Sequence, residues 1–327
     1  MSFPYNRPRR LRQSPAIRQM VAEIKLSPDD FILPLFIIEG SQQQEAISSM
    51  PGYFRKSLDI TLEEIGHLSG LGLRSVLLFV KVSDEKKDNT GAEALNPEGL
   101  MQRAVRAIKS AFPGICIMTD VALDPYSSYG HDGIVENGEI VNDPTIRVLA
   151  QMALSHARAG ADFVAPSDMM DGRIGAIRGL LEKEGFPHTG ILSYSAKFAS
   201  GFYGPFRDAL DSAPGFGDKK TYQMDYANSR ESLTEVLSDI EEGADIVMVK
   251  PALPYLDIIQ RVRQQVSVPI AAYQVSGEYA MIKAAAERGW VNEKDAIFET
   301  LTAIKRSGAD LIATYFAPQI LSFLKHS

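Results

Sequence analysis

The sequence predicts a (β/α)8 TIM barrel with an extended N-terminal arm, on three observations. Eight short apolar runs recur along its 327 residues. Amphipathic stretches of helical period lie between most of them. A small-residue step precedes several runs, in "SGLGLRSVLLF", "AGADFVAP", "EGADIVMV" and "SGADLIAT". Repeated helix–glycine–strand units are the pattern of parallel β/α repeats. Eight of them suit a barrel of about 250 residues with an arm and inserted loops. A doubly wound open sheet is the alternative, but no Gly-rich dinucleotide turn follows the first run.

The elements follow in order. Residues 1–25 precede the first strand and carry Arg7, Arg9, Arg10 and Arg12. They read as an arm that packs on a neighbouring subunit; a short basic run more often solvates a terminus than binds nucleic acid. The barrel spans 26–327. Strands are expected at 31–38 (FILPLFII), 75–80 (SVLLFV), 115–122 (ICIMTDVA), 162–166 (DFVAP), 190–196 (GILSYSA), 244–249 (ADIVMV), 269–275 (PIAAYQV) and 309–316 (ADLIATYF). Helices are expected at 62–71, 98–112, 144–160, 173–184, 229–242, 254–266 and 278–306. A Gly- and aromatic-rich stretch after the fifth strand, about 199–224, reads as an active-site lid.

Composition narrows the function. With 45% hydrophobic and 23% charged residues the chain can bury a large core. A net charge of −7 argues against a general nucleic-acid face. No apolar run approaches the roughly 20 residues of a membrane helix. The opening MSFPYNRPRRLRQSP has no apolar core of a secretory signal. Cys116 is the only cysteine and reads as a small strand hydrophobe. No internal disulfide is possible, so a reducing, cytoplasmic location is expected.

In a barrel, chemistry comes from the C-terminal strand ends. These carry Asp120, Ala122 and Asp124 on the third strand, and Ser167, Asp168, Asp171 and Arg173 after the fourth. Ser195 and Lys197 close the fifth, Lys250 the sixth, Tyr273 and Ser276 the seventh, and Tyr315 the eighth. Any one of these is more simply a polar residue at a solvated rim. Two lysines on consecutive strands are harder to dismiss. Neighbouring strands lie about 4.8 Å apart, so the two ammonium groups repel. A like charge together with burial lowers a lysine pKa toward neutrality. A neutral amine attacks a ketone to give a Schiff base. Two lysines imply either one nucleophile with a helper or two carbonyl substrates held together.

The loop "TDVALDPYSSYGHDG" gathers Asp120, Asp124, His131 and Asp132. Such a set is able to bind a hard divalent cation, and equally is an ordinary polar βα loop with Asx turns. On the lid, Arg207, Lys219, Lys220 and Gln223 have the chemistry to hold a carboxylate; surface charge is the simpler reading of each alone.

The segments "MVKPALPYLD", "SYSAKFASGFYGPFRDA", "KTYQMDYAN", "APSDMMDGR" and "AYQVSGEYAM", with the Asp-rich loop, resemble the porphobilinogen synthase (5-aminolevulinate dehydratase) family from about residue 5 to the end. The resemblance implies a lyase of the hydro-lyase type. Two 5-aminolevulinate molecules condense to porphobilinogen with loss of two waters, in tetrapyrrole (heme and chlorophyll) biosynthesis. It implies a homo-oligomer, usually an octamer, whose arms hug neighbours. Lys250 matches the Schiff-base lysine of the substrate that becomes the propionate side, and Lys197 the lysine of the other substrate. Ser276 and Tyr315 match the residues holding the first carboxylate, and Arg207, Lys219 and Gln223 those holding the second. The doublet leaves Lys219 or Lys220 open as the contact. The resemblance implies that Asp120 and Ser167 line the pocket and assist proton transfer. Zinc-dependent members carry three cysteines where Ala122, Asp124 and Asp132 stand here, so thiolate-bound zinc is not expected. Oxygen ligands point to Mg2+, with Asp124 and Asp132 as possible active-site ligands. Glu235 in "ESLTEVLSD" matches the glutamate of a separate allosteric Mg2+ site. No organic cofactor is implied. A class I aldolase, needing one Schiff-base lysine, and a non-catalytic scaffold barrel are the rivals.

Overall fold

The structure is a computed structural model that describes residues 5–325; the arm residues 1–4 and the last two residues of the barrel span lie outside them. Eight parallel strands close into a barrel: β1 (Phe31–Ile38), β2 (Ser75–Val80), β3 (Cys116–Val121), β4 (Phe163–Pro166), β5 (Gly190–Lys197), β6 (Ile246–Lys250), β7 (Ile270–Gln274) and β8 (Leu311–Thr314). Closure comes from β8 pairing back on β1, Ile312 with Phe31 and Ala313 with Ile32. All eight predicted strands are present. Their runs lack alternation because both faces are covered, by helices outside and by barrel side chains within; β1, β2 and β6 are buried at every position.

The outer layer is α1 (Leu58–Ser69), α2 (Leu100–Ala111), α3 (Asn142–Ala159), α4 (Arg173–Lys183), α5 (Glu231–Glu241), α6 (Leu256–Arg263), α7 (Ser276–Glu287), α8 (Glu293–Ser307) and α9 (Ala317–Lys325). The expected single helix over 278–306 is two, α7 and α8. Gly289 in the left-handed region turns the chain between them, and Asn292 caps α8 by accepting the Asp295 N–H. The closing helix α9 was not foreseen, nor was a hairpin of Gln44–Ala46 with Phe54–Ser57 that adds to the β1 edge.

The recurrent Gly-Ala-Asp step does the same work three times. Gly160, Gly243 and Gly308 have φ of 105°, 107° and 122°, which ends the preceding helix in a backbone region costly for any side chain. The aspartate two residues later then accepts a backbone N–H from the start of a neighbouring strand. Asp162 takes that of Ile117 at 2.8 Å, Asp245 that of Ile191 at 2.7 Å and Asp310 that of Ile270 at 2.9 Å. Each aspartate also meets a base on an adjacent helix: Lys109, Arg178 and Arg263 respectively. The motif pins the N-terminal rim of the barrel, opposite the face where chemistry is expected.

The arm holds a helical turn at Pro8–Arg12 and a short helix at Pro15–Met20, so it is less extended than expected. No residue of either is buried against the barrel.

Candidate active site

At the C-terminal rim, β5 and β6 place Lys197 directly opposite Lys250 in register. Both side chains are almost fully buried, and they live in different surroundings. The Lys197 ammonium donates to Asp132 Oδ2 at 3.3 Å and to the Ser167 carbonyl. The Lys250 ammonium faces rings: the centroids of Tyr273, Phe206, Tyr194 and Tyr203 lie 4.5, 4.9, 5.0 and 5.3 Å away. No carboxylate is within ion-pair distance of it among the described residues. Burial, then repulsion from Lys197, lowers its pKa to about 7. The neutral amine is therefore within reach near neutral pH.

Asp120, at the end of β3, accepts the Ser167 hydroxyl at 2.7 Å. Burial, reinforced by Asp124, pushes its carboxyl up to about 7. Such a group exchanges protons readily at neutral pH.

The lid is an excursion that leaves and returns beside Lys197. Phe198 bridges to Met224; the Met224 N–H donates to the Lys197 carbonyl at 3.1 Å and the Ala199 N–H to the Met224 carbonyl at 2.8 Å. Between these ends, a helix at Gly204–Leu210 carries Phe206 onto Lys250 and presents Arg207. Arg207 is half-buried, with no carboxylate in ion-pair range among the described residues. Gln223 is buried with its Oε1 lacking a hydrogen bond. Of the lysine doublet, Lys219 is buried in the site and Lys220 points to solvent.

Lys219 also makes the unexpected contact. Its ammonium lies 2.6 Å from Asp132 Oδ1 and 3.3 Å from Asp124 Oδ2, giving a buried row Lys197–Asp132–Lys219–Asp124. Burial alone would raise the Asp132 carboxyl; the two ammonium groups overcome that and hold it below the usual range. Burial alone would lower the Lys219 amine, and the two carboxylates hold it above its ordinary value. Asp124 and Asp132 thus converge on one cation position, and an ammonium fills it. A dication at that point would have to displace Lys219, so the pair as arranged does not fit one. His131 is also committed elsewhere: its ring nitrogens meet Tyr222 Oη at 3.1 Å and the Phe216 carbonyl at 3.0 Å, anchoring the lid.

Ser276 opens α7 with its hydroxyl 3.4 Å from the Phe202 carbonyl, and Tyr315, just past β8, shares a 3.0 Å hydrogen bond with Tyr273. Both are buried at the mouth. Glu235 is not gathered with them. It lies on α5, half-buried, in a cavity of about 370 Å³ whose other wall is the returning lid, Lys220–Met224. Burial raises its carboxyl, and Asp239, Asp171 and Glu231 add to this against the lowering pull of Arg173. Crowded carboxylates of this kind suit a hydrated hard cation. Among the described residues no three acidic, histidine or cysteine side chains converge on a single point.

Sequence reasoning missed three of the rings around Lys250: Tyr194, Tyr203 and Phe206. They come from β5 and two parts of the lid, and no local spacing announces that they meet. An aromatic-rich stretch after a lysine-ended strand was the available signal.

The family matched over residues 5–323 is described as Delta-aminolevulinic acid dehydratase. Delta-aminolevulinic acid dehydratase of Chlamydia pneumoniae is 52% identical over 97% of this chain and 96% of its own. That of Bacillus subtilis is 49% identical over 99% of both. A chloroplastic counterpart from Physcomitrium patens is 55% identical over 97% of this chain and 74% of its own. Among solved structures, the Toxoplasma gondii enzyme, crystallised with its reaction product porphobilinogen, superposes with a TM-score of 0.96 at 51% identity, over 97% of this chain and 91% of its own.

Proposed function

The chain belongs to the delta-aminolevulinic acid dehydratase family, and from that premise we propose how its own residues perform the reaction. It is a hydro-lyase, a porphobilinogen synthase of tetrapyrrole biosynthesis. Two 5-aminolevulinate molecules become one porphobilinogen and two waters.

In this reading Lys250 attacks the C4 ketone of the substrate that becomes the propionate side. The carbinolamine loses water to give an imine. Lys197 captures the second substrate in the same way. Asp132, 3.3 Å from the Lys197 nitrogen, holds that side chain in place for the attack. The second substrate loses a C3 proton and becomes an enamine. Its new carbon–carbon bond, and a carbon–nitrogen bond from a substrate amine, join the two molecules and free both lysines. Asp120, poised near pH 7 and hydrogen-bonded to Ser167, carries protons between these steps. Ser276 and Tyr315 hold one carboxylate; Arg207, Gln223 and Lys219 hold the other, Lys219 turning from Asp124 to do so. Holding both substrates together is worth up to about 7–11 kcal/mol when alignment is good, and the lid keeps water from the imines. Tyr194, Tyr203, Phe206 and Tyr273 lower the Lys250 pKa by excluding solvent and stabilise the cationic imine once it forms.

No step runs through a metal at Asp124 and Asp132. Glu235 would instead hold a hydrated Mg2+ ion, which would neutralise the crowded carboxylates beside the returning end of the lid. The exposed arm suits a contact with a neighbouring subunit, in a homo-octamer and in the cytoplasm on this reading.

The observation that carries this reading is the register of two buried lysines, one caged by rings. Incubation with 5-aminolevulinate followed by borohydride should yield reduced adducts on Lys250 and Lys197, alongside porphobilinogen from the unreduced sample. Labelling of Lys250 alone, without product, would favour a one-lysine aldolase.

A further inference from the structure

The third residue of α7, Glu278, is fully buried and has no cationic partner among the described residues. One oxygen of its carboxylate accepts the Val275 N–H, an ordinary cap for the helix it begins. Its other oxygen accepts the Leu253 N–H at 2.6 Å, which belongs to a different loop. That second bond is not needed for a cap. Leu253 lies three residues after Lys250, and Val275 stands next to Ser276. The β6–β7 ladder itself pairs only from Val247–Ile270 to Val249–Ala272. Beyond the ladder, one carboxylate joins the segment leaving the nucleophile to the segment carrying the carboxylate contact. The same corner is tightly packed: a Cβ on Gly277 would lie 2.6 Å from the Phe202 carbonyl oxygen, so the turn has no room to shift outward. Burial pushes the Glu278 carboxyl up to about 8, against the backbone donors that hold it down. A buried acid without a counter-ion is costly unless its hydrogen bonds serve the structure around it.

In 5-aminolevulinate the ketone carbon lies three bonds from the carboxyl carbon. Capture by Lys250 therefore requires a fixed span between its amine and the Ser276–Tyr315 contact. We propose that Glu278 is a positioning residue that sets this span, and so selects 4-oxo acids over keto acids one carbon longer. The inference rests on the assignment of Lys250 and Ser276 made above. It concerns where the nucleophile stands, not the reaction it performs.

The full-length chain is incubated separately with 4-oxopentanoate and 5-oxohexanoate, reduced with borohydride, and the adduct at Lys250 is quantified by mass spectrometry. Wild type should favour 4-oxopentanoate. Glu278→Asp, which shortens the tie, and Glu278→Gln, which keeps its shape but loses one acceptor, should shrink that preference by about tenfold or more, since displacements near 1 Å cost as much as 10²-fold. Thermal melting accompanies each variant. If Glu278→Asp fails to fold, Glu278→Gln decides alone. Slower trapping of both acids by one common factor, with the preference intact, would overturn the inference and leave Glu278 a structural cap. Failure of wild type to trap either acid would instead reject the assignment of Lys250.

Discussion

Lys197 and Lys250 are the same residue, on neighbouring strands and in direct register, yet their surroundings divide the labour. Lys197 is anchored, with Asp132 and a backbone carbonyl taking its charge. Lys250 is stranded among four rings, with only its neighbour's charge close by. Burial without a counter-charge favours the neutral amine of Lys250; burial beside a carboxylate anchors Lys197 for the second substrate. The difference is made by what the third-strand loop and the lid bring to each ammonium, since the strands treat the two alike.

The largest test of this contrast removes each lysine in turn. Lys250→Ala should lower porphobilinogen formation by roughly 10³-fold or more, since Lys197 is committed to the second substrate and cannot serve both. Lys197→Ala should also stop condensation yet leave the borohydride adduct on Lys250. Loss of that adduct would show that the two amines act as one unit.

Next comes the counter-charge. Asp132→Asn leaves two buried ammonium groups short of a partner and should cost about 3–5 kcal/mol of stability, read by denaturant unfolding. An unchanged unfolding midpoint would mean that Lys219 and Lys197 find other acceptors once the carboxylate is gone.

The smallest effect lies in the pH dependence. The Lys250 amine titrates near 7 in the folded chain against its ordinary 10.5. The folded state therefore binds fewer protons than the unfolded one between these values. The penalty is full below pH 7 and fades as pH rises toward 10.5. Lys250→Met should accordingly stabilise the chain by roughly 1–4 kcal/mol at pH 6 and by little near pH 10. A gain equal at both pH values would trace to packing rather than charge.

Much of this was legible in the sequence. The eight strands announced themselves because a closed, covered sheet needs apolar residues on both faces, and the Gly-Ala-Asp repeat marked where helices stop. The paired lysines were visible because they end two such runs. Less legible were features set by long-range closure. The α7–α8 break carried a local signal in Gly289 and Asn292, overridden by continuous helix-forming residues on either side. The rings around Lys250 and the engagement of Lys219 with Asp124 and Asp132 depend on how the lid lands, and neither has a spacing signature. Glu278 looked like any early-helix acid; its tie to the Leu253 N–H exists only once the fold brings that loop to it.

The lid's two ends, Ala199 and Met224, touch one another beside Lys197. Because its entry and exit coincide, the barrel is geometrically indifferent to how much chain lies between them, and lengthening the insert adds little closure entropy. The barrel would close around a grafted excursion of another length, but that excursion would have to restore rings beside Lys250 and a cation beside Asp132, so the insert that closes over substrate also sets the surroundings of both amines.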